Sequence, residues 1–237
     1  MADHPAPQPH GPIEKIFDDL YWVQGTMRMG PGMRISRNMV LLREEGEVTV
    51  LNPVRLDELA ETQLERIGAV KHIVRLGYFH GLDDRYYVER FGAKLWCQAG
   101  SDHYSEPRPD VVLSESTELP VSYAKLFVFQ QSKHPECAVL VQRGGGLLVT
   151  CDSVQHHVDG TRCSLMAKVV MHLMGFMKPM NIGPPWKKRM SPEGGSLRSD
   201  FERLLELEFD LAVGGHGTVC RGGARQHLQS TVARVFD

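Results

Sequence analysis

His72-Ile73-Val74-Arg75-Leu76-Gly77-Tyr78-Phe79-His80-Gly81-Leu82-Asp83-Asp84-Arg85 reads as a buried strand, a loop and the start of a helix. His72–Leu76 is the strand, Gly77 interrupts it, and Asp83–Phe91 is a short helix that Gly92 ends. The strand Lys94–Cys97 follows at once, so the stretch is a β-loop-α-β unit and the chain is of the α/β class. The loop between strand and helix carries His80 and Asp84. Strand ends are where a rigid scaffold displays reactive groups, which makes this loop the first place to look for chemistry.

Toward the N-terminus, Leu20–Val23, Asn38–Leu42 and Val48–Leu51 are strand-like, with Glu45-Gly46 as a hairpin turn between the last two. Leu56, Leu59, Ala60, Gln63, Leu64 and Ile67 share one helical face before the stop at Gly68. Toward the C-terminus the strands are Val111–Leu113, Lys125–Phe129, Ala138–Gln142 and Leu147–Thr150, the last two joined through Gly144-Gly145-Gly146. Met166, Val169, Val170, Leu173, Met174 and Met177 then recur at helical spacing, read as core packing rather than as a sulfur ligand set. Pro184-Pro185 and Gly194-Gly195 mark a loop, Ser199 with Glu202 forms a capping box, and Leu211–Val213 is the closing strand. Strands-then-helix occurs twice, which suits two similar halves packed sheet against sheet in one domain over 13–237. Residues 1–12, with Pro5, Pro7, Pro9 and Pro12, read as a loose N-terminal arm.

Composition narrows the function classes. Of 237 residues, 42% are hydrophobic and 24% charged, so the chain can build a core and is not disordered. Lys+Arg 27 against Asp+Glu 29 gives a net charge of -2, and no basic excess points to nucleic acid. Five scattered cysteines without a C-x-x-C pair read as buried thiols of a cytoplasmic protein. The start lacks a signal-peptide profile, and the most apolar stretch, Val169 to Met177, is far short of the ~18–20 residues that span a bilayer. A soluble protein with a small-molecule substrate, and neither nucleic acid nor membrane as partner, is the expectation. Its oligomeric state is left open.

Four strand ends carry ionisable groups: His80 and Asp84 after His72–Leu76, His134 in Lys133-His134-Pro135-Glu136, Asp152 in Cys151-Asp152, and His216 in Gly214-Gly215-His216-Gly217. In order and context these resemble the metallo-β-lactamase-fold superfamily, from about Asp18 to the C-terminus. That superfamily has a His-x-His-x-Asp-His loop after a strand, a lone His ahead of a hairpin, an Asp at the hairpin's end and a His in a late Gly-His-Gly turn. His80, Leu82, Asp84 and Arg85 fall on the first four positions, so its second and fourth imidazoles are missing. His134, Asp152 and His216 match the remaining three, and five positions of seven survive. Asn52 stands where the superfamily usually places a supporting Asp.

The resemblance implies a four-layer αββα sandwich and a metal-dependent hydrolase of esters, thioesters, lactams or phosphodiesters. It also implies His80, Asp84, His134, Asp152 and His216 as metal ligands, with Asp84 and Asp152 catalytic. Clustered imidazoles and carboxylates favour a cation, and this N/O donor set suits zinc, iron or manganese. With Leu82 and Arg85 in ligand positions, a single divalent transition metal is the expectation. The alternative is a non-catalytic binding protein without metal, in which the Arg85 guanidinium pairs with Asp84 or Asp152 and replaces the second cation. Of His156 and His157, adjacent side chains in an extended segment, at most one can face the site. Cys151 is read as a buried thiol rather than a nucleophile, and Trp186-Lys187-Lys188-Arg189 as a solvated basic loop.

Overall fold

In this computed structural model of the protein the described residues are 4–237. Strands β1 (Glu14–Phe17), β2 (Leu20–Gly30), β3 (Met33–Glu44), β4 (Glu47–Leu51), β5 (Ala69–Val74), β6 (Lys94–Gln98) and β7 (Val111–Leu113) form one sheet in sequence order. β1 to β4 pair antiparallel through short turns. From β4 onward the pairing is parallel, which requires crossovers. Helices α1 (Glu58–Ile67) and α2 (Asp84–Phe91) supply the first two of them. The second sheet has the order β11-β10-β9-β8, built from β8 (Ala124–Val128), β9 (Cys137–Val141), β10 (Leu147–Val149) and β11 (Leu211–Val213).

Burial on both faces of the strands explains the layers. In β9 every residue is buried. Cys137, Val139 and Val141 meet Leu20, Val40, Leu51 and Val74 of the first sheet. The alternate residues Ala138 and Leu140 face the opposite way, toward Trp186, Phe201 and Leu228 of helices α4 (Pro184–Met190), α5 (Arg198–Leu205) and α6 (Ala224–Phe236). On the far side of the larger sheet, Val48, Val50, Ile73 and Leu95 pack with Leu64 of α1 and Tyr87 of α2. The molecule is the expected αββα sandwich, although its sheets of seven and four strands are unequal rather than similar halves.

Several local readings change. β2 and β3 extend far beyond Leu20–Val23 and Asn38–Leu42, because their pairing continues through Thr26↔Ser36 and Met27↔Ile35, outside the core. Pro184-Pro185 opens α4 instead of a loop, since a proline in the first turn forfeits an N–H that has no helical partner there. α6 was not read from sequence: its buried positions Ala224, Leu228, Thr231 and Val232 keep helical spacing, but small and polar residues blur it. The capping box at Ser199 does not form, because Leu197 is the N-cap and Ser199 lies inside α5. The N-terminal segment lies against the sheet. Gly11 donates to Gln24 O, Thr26 Oγ1 donates to Pro9 O, and Asp57 N donates to His10 Nε2.

The methionine stripe is the largest departure. It lies on and just after helix α3 (Leu165–Leu173), which begins at the N-cap Ser164. Met166, Val169 and Leu173 are more than half exposed. α3 sits at the end of the sandwich beside β3, outside both core layers, and shares only a small cluster of Cys163, Ala167 and Met171 with Met33 and Ile35. All five cysteines are free and buried. Among the described residues no helix is long and apolar enough to cross a membrane.

Candidate metal centre

β10 and β11 are parallel neighbours with Val149 opposite Val213. Asp152 and His216 each stand three residues past that pair, so strand register alone brings them side by side. His80 arrives from the other sheet, on the loop after β5. The Gly214–Gly217 turn must pass very close to its neighbours. A Cβ on Gly214 would lie 2.4 Å from Val154 O, and one on Gly215 would lie 2.9 Å from Cys151 O and 3.0 Å from His80 Cε1. β3 clamps the same turn: Asn38 N donates to Gly215 O (2.8 Å), Asn38 Nδ2 to Gly214 O (2.8 Å), and Gly217 N to Ser36 Oγ (3.0 Å).

The three side chains meet at their tips. His80 Nε2 lies 3.3 Å from His216 Nε2 and 3.6 Å from Asp152 Oδ1, and His216 Nε2 lies 3.1 Å from the same oxygen. Ligands bound tetrahedrally at ~2.0–2.1 Å from one zinc-sized ion are ~3.3–3.4 Å apart, so these separations fit a shared cation. Cys151 Sγ falls within 4.8 Å of the His80 and Asp152 ligand atoms and completes a potential donor group. His216 Nδ1 lies 2.5 Å from Ser36 O. Donation to that carbonyl puts the ring proton on Nδ1 and leaves the Nε2 lone pair facing the cluster. Gln155 Nε2 donates to Asp152 Oδ1 (3.1 Å), and His157 Nε2 donates in turn to Gln155 Oε1 (3.0 Å).

Burial shapes the protonation of the cluster. It lowers His80, an effect that Asp152 only partly offsets. It also opposes charge on His216, but the bond to Asp152 wins and raises that imidazole. Asp152 is held below the usual carboxylate range because His80 and His216 outweigh its own burial. The carboxylate is therefore ionised and a poor base. Burial pushes the Cys151 thiol well up, as read from the sequence.

No family model matches this chain, and no curated protein matches it in sequence. Solved structures do match. A metallo-beta-lactamase from Pontibacter korlensis aligns with TM-score 0.63 at 16% identity, covering 93% of this chain and 98% of its own. The metallo-beta-lactamase FIM-1 from Pseudomonas aeruginosa, solved in a mono-zinc form, gives 0.65 at 10%, with 97% of both chains covered. A metallo beta lactamase from Erythrobacter litoralis gives 0.65 at 9%, covering 94% and 92%. The fold is the metallo-β-lactamase fold. The similarity extends over nearly the whole chain, so the αββα reading holds from end to end.

Against that fold the remaining signature positions can be placed. Asp84 does not join the cluster. It is buried at the start of α2, 2.6 Å from Arg75 Nε, and Arg75 also donates to Tyr104 O. Burial pushes the Asp84 carboxyl up, and Arg75 opposes the shift. Asp83 is likewise engaged by Arg37 Nη1 at 2.9 Å. Arg85 neither pairs with Asp84 nor with Asp152: it lies on the exposed face of α2 and bonds Glu89 one turn on, at 2.6 Å. The reason is helical geometry. A residue one position after the buried Asp84 turns about 100° away, toward solvent. His134 stacks on Tyr78 with ring centroids 4.4 Å apart and does not line the cleft over the cluster. Leu82 does line it, so the position that lost an imidazole contributes apolar wall instead.

Of the adjacent pair, His157 faces the cleft, while His156 Nδ1 accepts from Met180 N, as their opposite directions require. The basic loop is helical, and its Trp186 and Arg189 border the cleft. Sequence reasoning missed Ser36, Arg37 and Gln155, which support the site from outside any motif. Only polar residues in otherwise buried strands, Ser36-Arg37-Asn38 in β3, hinted at them. Asn52 ties the two sheets together: its side chain donates to Thr150 O and accepts from Leu76 N. Glu136, completely buried, accepts from Ser153 N at 2.8 Å and so braces the residue after Asp152. Burial raises its carboxyl well above the usual range, which favours the neutral acid.

Proposed function

We propose that the protein is a metal-dependent hydrolase with one divalent metal held by His80, Asp152 and His216. The observation that carries this reading is the mutual spacing of the three tips, 3.1, 3.3 and 3.6 Å, with two imidazoles and an ionised carboxylate aimed at one point. The likeness to the metallo-beta-lactamases supports it by fold only. A metal held by His80, Asp152 and His216 would supply Lewis acidity, polarising a carbonyl or phosphoryl oxygen and lowering the pKa of water to roughly 7.

The chain's own residues supply the rest. Ser36 O fixes the His216 tautomer, and Gln155, steadied by His157, orients Asp152. The neighbouring carboxylates Asp83 and Asp84 are neutralised by Arg37 and Arg75, which leaves them no role as ligands of a second metal. Arg85, exposed on α2 and paired with Glu89, is given no part in this reading. Asp84, bonded to Arg75 and absent from the cleft lining, is assigned no acid or base step in this reading.

Metal analysis of the purified protein after dialysis against zinc or manganese tests the reading. About one equivalent is expected in the wild type, with loss in His216→Ala and Asp152→Asn but retention in His134→Ala. Activated esters and a phosphodiester, assayed with the loaded protein, then test hydrolysis. Absence of metal under every loading condition would replace the enzyme with a binding protein of the same fold.

A further inference from the structure

The cleft over the cluster encloses about 540 Å³, within the range of small-molecule sites, and its chemistry is lopsided. Polar groups gather at the His80, Asp152 and His216 end. Away from it the walls are apolar: Met27, Met29, Met33 and Ile35 from the β2–β3 hairpin face Met171 and Met174 of α3 and the residue after it. Met29 and Met174 are about half exposed, so the apolar wall runs out to solvent and the cleft is open at that end. Methionines are unbranched, with three rotatable bonds, and line sites that adapt to flexible apolar partners.

Two arginines line the cleft. Arg37 is held by Asp83 and by Pro53 O, and the Arg189 guanidinium lies 5.4 Å over the Phe79 ring. An uncharged carbonyl with an apolar tail meets a matching surface here, whereas a compact phosphodiester would leave the methionine wall uncovered. We infer that the substrate is an ester or thioester of a linear acyl chain, its carbonyl at the metal centre and its chain along the methionine wall. This rests on the hydrolase reading above. In the reaction water adds to the carbonyl carbon and the C–O or C–S bond breaks. One proton passes to the leaving alcohol or thiol, and the carboxylic acid gives up the other.

Binding and turnover test the inference separately. Calorimetric titration of metal-free protein with hexanoate, octanoate, decanoate and dodecanoate should show affinity rising about three- to fourfold per added methylene while the wall covers it. Met29→Asp and Met174→Asp, at partly exposed positions that leave the core intact, should weaken decanoate at least tenfold and leave hexanoate nearly unchanged. Leu165→Asp, on the exposed face of α3 outside the cleft, should change neither. Affinity independent of chain length, or weakened equally by Leu165→Asp, would overturn the assignment. In the second arm the zinc-loaded protein is given p-nitrophenyl acetate and p-nitrophenyl decanoate, and kcat/KM should favour the decanoate by at least tenfold. Chain-length-dependent binding without hydrolysis would defeat the hydrolase reading and leave the acyl site standing. Hydrolysis without chain preference, together with flat binding, would defeat the acyl site alone.

Discussion

Two buried carboxylate sites, Asp83-Asp84 at the start of α2 and Asp152 in the loop after β10, have opposite fates. Asp83 and Asp84 are each closed by a guanidinium, from Arg37 and Arg75, in pairs whose side chains are almost wholly buried. Asp152 meets no guanidinium at hydrogen-bond distance among its described contacts; its partners are two imidazoles and the Gln155 amide. The difference teaches what decides between a structural and a chemical site. A buried carboxylate needs a countercharge, and an arginine, always protonated and forked, supplies one permanently. Imidazoles supply it only while protonated, and once neutral they offer lone pairs that a metal can take. The sequence reading sets Arg85 beside Asp84 or Asp152; the guanidinium on Asp84 is instead that of Arg75, just after β5, and Arg85 pairs with Glu89.

The largest effect that would break this comparison is at the closed pair. Arg75→Met should destabilise the protein by ~3–5 kcal/mol, because it strands Asp84 in the interior. Arg75→Met combined with Asp84→Leu should recover most of that loss, as a denaturant midpoint would show. If the single variant is as stable as wild type, the pair is not what closes this cluster.

At the open cluster, stability should instead follow metal. Zinc at about a hundred times its dissociation constant should stabilise the wild type by ~2.7 kcal/mol, by linkage. Asp152→Asn and His216→Ala should lose that response, and His134→Ala should keep it. A thermal shift in zinc that survives Asp152→Asn would move the metal elsewhere.

An effect confined to acid concerns His157, which burial holds at about 3 in the folded protein. The unfolded imidazole titrates near ~6.5, so between these values the unfolded chain binds the extra proton. Stability contributed by this group is therefore full above pH ~6.5 and falls as the pH drops toward 3, by at most ~1.4 kcal/mol per unit. His157→Gln should flatten that part of the stability–pH curve. An unchanged slope would show that His157 is hydrated. Least of all, Arg85→Ala should leave the unfolding midpoint and the metal stoichiometry unchanged, since its partner Glu89 shares the exposed face of α2. A gain in metal uptake on removing Arg85 would revive the substitution idea.

Much of the fold was legible because it rests on local signals. The β-loop-α-β order around His80, the glycine hairpin at 144–146 and the buried runs of β4, β9 and β10 specify strands and layers without reference to distant residues. What failed was of another kind. α6 hides its buried face among small and polar residues, and the methionine stripe of α3 has the spacing of a core helix, yet Val170 and Met174 border a cleft while Met166, Val169 and Leu173 face solvent. Periodicity reports that a helix has an apolar face. It does not report whether that face meets protein or a ligand.

The sequence determined most of the succession of strands and helices and placed His80, Asp84, His134, Asp152 and His216 past strand ends, because period, turns and Gly-His-Gly are properties of neighbouring residues. The tertiary structure alone decided which carboxylate received an arginine, that His134 stacks on Tyr78 while Arg85 faces water, and that methionines from β2, β3 and α3 enclose one cleft. Those outcomes depend on which side chains the two sheets bring within a few ångströms of each other, and no spacing along the chain encodes that distance.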